Sequence, residues 1–489
     1  MTESITFGVE LEILVAYQFE NDPKPAEDMD KRQVVRISDA AMPEQSSITP
    51  DDRVRNALRD FLRSHDVPVG DNGEQEAGPP SKYSLGSDSS VREDQFQYYN
   101  WAGVELRSPA LVAGANSFDD VKRVVNLLRN NFRLRVNEST GFHVHVGMGA
   151  QPSPPRAIRR LSQFLWCAEG MLSQLHPPDR VLSKYCQSIR QWSYLGQGNL
   201  DHFRQAEEDF AELRRYLGRS SPSNEVGDRK HPADVSDRLS VLQQNSDVFP
   251  ALDSFSGSVR LQRLPATRIN PYQDDASRQR HYIRTGRELE RLTRREFLDR
   301  GRLVSLERGT AAVELTEECT PILDGLRVLS QPHMYSNTTR AAHELLGALD
   351  QRLNYNFSAY NFQVSGDFEL RMTIEFREAA GSLDPSWIAT WARICSRVVE
   401  FCLQTEEHTF IDILMRVLEA ELAFESNEEG PRYDVIDLLN DLSLSDEARF
   451  VEERILLEDK NAFWFPCALQ EIAGENHHAS TLVAPEDEE

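Results

Sequence analysis

The most regular pattern of hydrophobic and polar positions covers residues 5–15, near the N-terminus. Every second side chain there is apolar, and the positions between them include Thr6, Gly8, Glu10 and Glu12. Alternation with a period of two predicts a strand that is covered on one face only. Glu10 and Glu12 therefore share the polar face of this strand.

Three later segments have the same design, in which one face is apolar and the other carries charged or polar groups. These segments, with the polar-face side chains, are residues 103–107 with Glu105 and Arg107, residues 141–147 with His143 and His145, and residues 370–377 with Thr373, Glu375 and Arg377. Glycine lies beside the polar face in three of the four strands. Because glycine weakens a strand, such positions indicate the close approach of another group.

Segments with helical periodicity lie between these strands and after the last of them. The apolar spacing predicts helices near residues 51–65, 117–130 and 155–175, and more amphipathic helix up to about residue 458. Asp384 as N-cap and Pro385 at the first helical position begin the C-terminal helical part. One-sided strands scattered among helices predict an α+β fold with an antiparallel sheet, helices on one face and an open cleft on the other.

Polar segments divide the chain. Residues 20–50, 68–94 and 218–237 are polar and predict loop insertions. Residues 68–94 are expected to be mobile and dispensable for folding, because they contain little apolar surface. We assign residues 1–384 to one domain with these insertions, residues 385–470 to a helical extension packed on it, and residues 471–489 to a disordered acidic tail.

The charge and the cysteines narrow the class of protein. Among 489 residues, 79 Asp and Glu outnumber 54 Lys and Arg, which gives a formal net charge of −25. Such a surface disfavours nucleic acid or an anionic membrane as a partner. The six cysteines lie far apart without a C-x-x-C pair, which predicts reduced thiols. Without a signal peptide or a long apolar run, the expected location is cytoplasmic.

The four polar strand faces suggest chemistry if the strands pair in one sheet with their apolar faces aligned. The opposite face then collects four carboxylates, two imidazoles and two guanidiniums. Carboxylates so close together repel unless cations lie between them. Oxygen-rich ligands with a minority of imidazole suit Mg²⁺ or Mn²⁺, and arginines beside such ions stabilise a phosphoryl group in transfer. Any one strand alone is more often a solvated face, so the prediction depends on their combination.

Five motifs carry a resemblance to a known family. In chain order they are FGVELE, GVELRSP, TGFHVHVG, AYNF and TIEFREAAGSLD, and they extend from Phe7 to Asp384. They resemble the amidoligase family of fungi and bacteria, within the glutamine synthetase and glutamate–cysteine ligase superfamily of carboxylate–amine ligases. The resemblance implies a glutamine synthetase-like catalytic domain over residues 1–384. It also implies ATP and Mg²⁺ or Mn²⁺ as cofactors, and an amide bond formed between a small-molecule carboxylate and an amine through an acyl phosphate.

The resemblance also implies roles for individual residues. The implied metal ligands are Glu10, Glu12, Glu105, His143 and Glu375; the implied nucleotide contacts are His145, Arg180, Lys184, Asn361 and Arg377; the implied catalytic groups are Arg377, Glu375 and Arg107. Gly381 and Ser382 are expected to shape the cleft. Two positions depart from the pattern: Thr373 stands where many synthetases have arginine, and Ser382 stands where amidoligases have threonine. Neither departure removes a metal ligand.

Two alternatives stay open at this stage. One is a non-catalytic relative that keeps the fold as a nucleotide-binding module. The other is a guanidino-type phosphotransferase, which requires a reactive cysteine near the cleft. Cys186 is the cysteine expected nearest the site, and buried structural thiols are the more common role for cysteine. The acyl-phosphate route needs no protein nucleophile, so it predicts no catalytic cysteine.

Overall fold

A single sheet organises the fold, and its central strand is the N-terminal one. In this computed structural model the described residues are 4–22, 31–38, 48–71, 80–93, 99–148, 153–176, 180, 183–198, 320–330, 340–348, 352–360, 372–426 and 433–455. Within them the strands are β1 Thr6–Phe19, β2 Val35–Ile37, β3 Ser84–Gly86, β4 Asn100–Arg107, β5 Leu111–Val112, β6 Leu134–Arg135, β7 Gly141–Gly147, β8 Tyr355–Asn356 and β9 Thr373–Ala380. The main order is β3-β4-β1-β7-β9-β8, and β2, β5 and β6 also pair with β1. Of these pairings, only β1 with β2 is parallel. The predicted α+β class with a largely antiparallel sheet is confirmed.

Strand β1 is longer than its alternation predicts. Buried and less buried positions alternate from Thr6 to Leu11, and then every residue up to Ala16, including Glu12, is buried. There the strand pairs with β2, β4 and β6. The two-residue period of burial therefore ends before the strand does, because both faces are covered beyond Leu11.

Helices cover the apolar face of the sheet. They are α1 Pro50–Ser64, α2 Ala115–Asn131, α3 Pro155–Ser173, α4 Ile189–Trp192, α5 Ile322–Ser330, α6 Arg340–Leu346, α7 Pro385–Gln404, α8 Glu407–Ser426, α9 Val435–Asp441 and α10 Ser445–Ile455. Helix α7 packs on β1 and β7 and on helices α2 and α3. Phe7 of β1 stacks on Phe118 of α2 at 4.6 Å between ring centroids. None of the described helices is both long and apolar enough to cross a membrane.

The predicted start of the C-terminal helices is confirmed. The Asp384 side chain accepts a hydrogen bond from the Ser386 backbone N–H, and Pro385 is the first residue of α7. An N-cap of this kind satisfies one of the backbone donors that the first helical turn leaves unpaired. Local sequence therefore fixes where this helix begins.

Three boundaries differ from the sequence prediction. The predicted insertion at 20–50 contains β2, and the insertion at 68–94 contains β3, which pairs with β4. Each strand has three residues, which is too short for a periodic signal, and the pairing with a longer neighbour stabilises it. The strand predicted at 370–377 is observed as β9, Thr373–Ala380. The predicted insertion at 218–237 and the predicted tail at 471–489 lie outside the described residues.

A buried ion pair joins the C-terminal helices to the rest of the core. Arg190 of α4 and Glu421 of α8 are almost fully buried, and Arg190 Nη1 lies 3.5 Å from Glu421 Oε2. Removing one member of a buried pair is costly, because the other charge keeps its desolvation penalty.

We therefore expect Glu421→Ala to lower the free energy of unfolding by about 3–5 kcal/mol. Denaturant titration measures this loss. Asp324→Ala is the control, because it breaks the exposed pair with Arg327 and is expected to cost less than about 1 kcal/mol. Equal effects from the two substitutions would contradict a structural role for the buried pair.

Candidate functional site

The register of three neighbouring strand pairs brings the predicted polar groups to one face. The directly opposed pairs are Glu10 with Arg107 and with His143, Glu12 with Glu105, and His145 with Glu375. Directly opposed residues of antiparallel strands project to the same side of the sheet. Four segments separated by up to several hundred residues of sequence therefore contribute to one cluster.

His143 lies between three carboxylates. Its Nδ1 atom is 3.6 Å from Glu10 Oε2 and 3.5 Å from Glu375 Oε1, and its Nε2 atom is 3.8 Å from Glu12 Oε1. Glu12 in turn accepts a hydrogen bond of 2.5 Å from the Gly141 backbone N–H. Strand β7 thus contacts both glutamates of β1, through the His143 side chain and through the Gly141 backbone.

His145 contributes an unsatisfied nitrogen to the same cluster. Its Nε2 atom is 3.3 Å from Glu10 Oε1 and 3.9 Å from Glu375 Oε1, but it is buried without a hydrogen-bond partner among the described residues. One ligand atom each from Glu10, His145 and Glu375 lie within 4.8 Å of one another. A buried nitrogen facing two carboxylates is a donor set that suits a divalent cation.

Burial and neighbouring charge set the ionisation of these groups. Burial favours the neutral form of Glu10 and of Glu375, yet the nearby histidines hold the pKa of both carboxyls below the usual value, with Arg377 also acting on Glu375. Burial and the Glu10 carboxylate raise the pKa of Glu105 to about 7. Against the effect of burial, the Glu10 carboxylate raises the pKa of His145. The cluster thus has a carboxyl that titrates near neutral pH.

Two arginines lie on the same face. Arg107 is about half exposed, with its Nε atom 3.6 Å from Glu10 Oε1, and it also pairs with Glu105. Arg377 donates a hydrogen bond from Nη1 to Glu375 Oε1. Each guanidinium therefore offsets part of the negative charge at one side of the cluster.

Part of the cluster lines a cleft of about 600 Å³: the lining includes Glu10, Glu12, Glu105, Arg107, His143 and Arg377, but not His145 or Glu375. Two other parts of the chain also contribute lining residues: Ser87, Asp88 and Ser89 from one, and His343, Leu346, Gly347, Ala348, Arg352, Leu353, Asn356 and Ser358 from the other. Residues 87–89 belong to the segment 68–94, whose mobility and dispensability for folding stay predictions. They line part of the cleft, although the polar composition of the segment resembles that of a free linker.

Several residues of the site had no sequence signal. Asn356 of β8 donates a hydrogen bond of 2.7 Å to Glu375 Oε2. Arg352 lines the cleft, and its guanidinium lies 5.3 Å from the centre of the Tyr185 ring. Strand β8 has two residues, so no periodic pattern identified it. The asparagine beside a hydrophobic run was the only available hint.

The remaining predicted site residues lie around the cluster. Arg180 is buried and donates from Nη2 to the Arg377 carbonyl, at 3.2 Å. Lys184 is exposed, with Nζ 4.9 Å from the centre of the Tyr185 ring. Ser382 is buried and its hydroxyl accepts a hydrogen bond from the Asp384 backbone N–H. These three residues are not among those that line the cleft, and Asn361 lies outside the described residues.

The polar-face glycines divide into close and open positions. A Cβ atom on Gly141 would lie 2.7 Å from Arg180 Nη2, 2.8 Å from His143 Nε2 and 3.1 Å from Glu12 Oε2. At Gly8, on the same face, the nearest atom would be 3.7 Å away. The close approach that the sequence predicts is therefore present at Gly141, where site side chains occupy the space, and not at Gly8.

Comparison with known proteins gives one match. A family model described as "putative amidoligase enzyme" matches residues 3–239. No curated protein and no solved structure matches the chain. The matched residues include β1, β4 and β7, which carry both histidines of the cluster, and end before β9, which carries Glu375 and Arg377.

We expect Gly141→Ala to disturb the cluster without unfolding the protein, since the groups it would strike are the ends of side chains. The affinity for Mn²⁺, measured by calorimetry, should fall about tenfold or more, in the range seen when the groups that orient metal ligands are altered. Gly8→Ala is the matched control and should leave the affinity unchanged. Equal affinity in both variants would contradict the packing role of Gly141.

The raised pKa of Glu105 predicts that metal binding depends on pH. Below its pKa of about 7, Glu105 is protonated, and an incoming cation must displace that proton. The Mn²⁺ affinity should therefore rise with pH, by at most about tenfold per pH unit for each displaced proton, and the contribution of Glu105 should level off above its pKa.

Glu105→Gln tests the origin of this pH dependence. The variant should bind Mn²⁺ more weakly and with a shallower pH dependence; a slope remains because His145, whose pKa is raised, still releases a proton. Calorimetric titrations at about pH 6 and about pH 8 measure both quantities. An unchanged slope in the variant would show that Glu105 is not the titrating group.

Proposed function

We propose that this protein is an amidoligase, namely an ATP-dependent carboxylate–amine ligase that uses Mg²⁺ or Mn²⁺; the match of residues 3–239 to the family model supports this. The observation that carries the proposal is the convergence of four glutamates, two histidines and two arginines on one face of the sheet. Such a face can hold divalent cations and a polyphosphate together. The expected location is the cytoplasm, and the expected partners are small molecules.

The residues present fit a divalent cation. The proposed ligands of one ion are Glu10, His145 and Glu375, with His143 within reach of the same two carboxylates. The proposed ligands beside it are Glu12 and Glu105, which the strand register places opposite each other. When bound, such ions neutralise phosphate charge and make the γ-phosphorus a better electrophile.

The chain's own residues would position the substrates and stabilise charge. Arg377 lines the cleft beside Glu375 and is proposed to neutralise the γ-phosphoryl group during transfer. Arg107 flanks the cluster from β4 and is proposed to assist the same charge stabilisation.

The proposed reaction has two steps. A substrate carboxylate oxygen attacks the γ-phosphorus of ATP, and the bond to the β–γ bridging oxygen breaks, which yields an acyl phosphate and ADP. The amine nitrogen then attacks the acyl carbon, phosphate leaves, and the nitrogen loses a proton. The products are the amide, ADP and phosphate, and no protein nucleophile takes part.

A phosphotransferase that depends on Cys186 finds little support in the geometry. Cys186 is buried, it is not among the residues that line the cleft, and burial raises the pKa of its thiol to about 12. A thiol in such surroundings is a poor nucleophile at neutral pH. The remaining alternative is a nucleotide-binding relative without turnover.

Substitution of Arg377 and Glu375 tests the ligase. Arg377→Ala should lower turnover by about 10²-fold or more, as expected when one preorganised charge stabiliser is lost. Glu375→Gln should have a similar effect by weakening the metal site at constant side-chain volume. The measurement is ADP release with Mg²⁺ and pooled carboxylates and amines. Mass spectrometry then searches for a product lighter than its two substrates by one water.

Cys186→Ala is the control, and it should change turnover little. ATP hydrolysis that is equal in wild type and Arg377→Ala, and independent of both co-substrates, would overturn the ligase. Nucleotide binding without any turnover would favour the binding module. Loss of activity in Cys186→Ala alone would favour the phosphotransferase.

A further inference from the structure

Strand β9 is irregular where it passes the cluster. Phe142 of β7 is opposite Ala379 of β9, whereas Val144, two residues later, is opposite Phe376. Between these two pairs, β9 has two residues, Arg377 and Glu378, whereas β7 has one, His143. This is a β-bulge, a feature that re-aims side chains and is common beside active sites.

The bulge sends its two side chains to different environments. Arg377 lines the cleft and contacts Glu375. Glu378 is 1% exposed on the helix-covered side of the sheet. There its Oε1 atom accepts a hydrogen bond of 2.5 Å from the Ser173 hydroxyl, and its Oε2 atom accepts one of 2.6 Å from the Tyr355 hydroxyl. The carboxyl thus joins the C-terminal end of α3 to the edge strand β8, directly beneath the bulge.

The backbone of Arg377 is held as well. Its N–H donates to the Asn354 carbonyl at 2.8 Å, and its carbonyl accepts from Arg180 Nη2 at 3.2 Å. His176, at the end of α3, packs against the same region, with Nε2 4.0 Å from Glu378 Oε2. His176 therefore reaches the bulge from the helix-covered side, whereas Arg180 reaches the Arg377 carbonyl from the polar face, where its Nη2 atom lies beside Gly141.

A buried carboxyl is an expensive choice for a core position. Burial raises the pKa of Glu378 to about 8, so the neutral acid is favoured at neutral pH. Apolar side chains of similar volume fill cores without this cost. A carboxyl with two directed hydrogen bonds supplies what an apolar side chain cannot, namely a fixed position for the strand above it.

We propose that Glu378 is a positioning residue: through its hydrogen bonds to Ser173 and Tyr355 it fixes the bulge that holds the Arg377 guanidinium in the cleft. The inference deepens the proposed function, because it concerns the group assigned to the transferred phosphoryl. It assigns Glu378 no contact with substrate.

Crystal structures of two variants test the positioning directly and need no substrate. Glu378→Gln keeps a carbonyl acceptor for the Ser173 hydroxyl and offers an amide N–H to the Tyr355 hydroxyl oxygen, which can accept in place of donating, so the bulge and the contact between Arg377 and Glu375 should persist. Glu378→Leu retains bulk but removes both hydrogen bonds, so the guanidinium should move away from Glu375. A guanidinium that stays in place in Glu378→Leu would overturn the inference.

Nucleotide binding provides a second measurement. Wild type should prefer the Mg²⁺ complex of the β,γ-imido analogue of ATP over that of ADP, because Arg377 contacts the terminal phosphate. We expect Arg377→Ala and Glu378→Leu each to reduce this preference about tenfold, and the double variant to lose no more than either alone, since residues that act through one another are not additive. Glu378→Gln should restore the preference. Additive losses, or equal losses in the Gln and Leu variants, would overturn the inference.

Milder variants keep the test decisive if Glu378→Leu does not fold. Tyr355→Phe removes one hydrogen bond and should give a smaller loss of the same preference. Tyr83→Phe is the matched control, because it removes a buried hydroxyl that bonds Asp120 instead; equal effects would overturn the inference. A wild type that binds neither nucleotide overturns the proposed function, and the guanidinium position in the crystal structures then decides the positioning role.

Discussion

The backbone pairing of β1 with β4 on one side and β7 on the other aligns the charged groups of these three strands, and the pairing of β7 with β9 adds those of β9. Glu10 is opposite Arg107 across one ladder and opposite His143 across the other. A slip of one residue in either ladder would turn its polar side chains toward the helices and its apolar ones toward solvent. The apolar face of β1, packed on the helices, resists that slip. The hydrophobic core therefore maintains the alignment of the site.

This alignment concentrates like charge, and the surroundings of the carboxylates offset it. Two imidazoles lie among the glutamates and two guanidiniums flank them. Glu105 shows that the compensation is incomplete within the chain, since its pKa is raised to about 7 by burial and by its acidic neighbours. A face with excess negative charge and a buried nitrogen without a hydrogen-bond partner among the described residues fits the divalent cation that the proposed function requires.

The bulge in β9 connects groups on the two sides of the sheet. Elsewhere in the cluster a polar side chain above the sheet alternates with an apolar one below it. At Arg377 and Glu378 this alternation fails, and a charged group above the sheet is followed by a buried carboxyl below it. Hydrogen bonds on the helix-covered side, from Ser173 and Tyr355 to Glu378, thus lie next to the residue that lines the cleft. This connection passes through the end of α3 and strand β8, which are remote from each other in sequence.

The sequence by itself determined which side chains share a strand face, because alternation records burial at each residue. It therefore identified the four strands and the polar residues that they carry, such as Glu10, His143 and Glu375. It also identified the start of α7 at its capping residue. Which strands become neighbours, and in what register, depends on contacts between residues far apart in the chain, and only the tertiary structure decided this. The same holds for β3 and β8, which are too short to show a period and exist through pairing with longer strands. It also holds for Asn356 and Arg352, which reach the cleft because their segment returns to the sheet edge. Gly8 and Gly141 look alike in sequence, and only the packing of Arg180 and His143 around Gly141 distinguishes them.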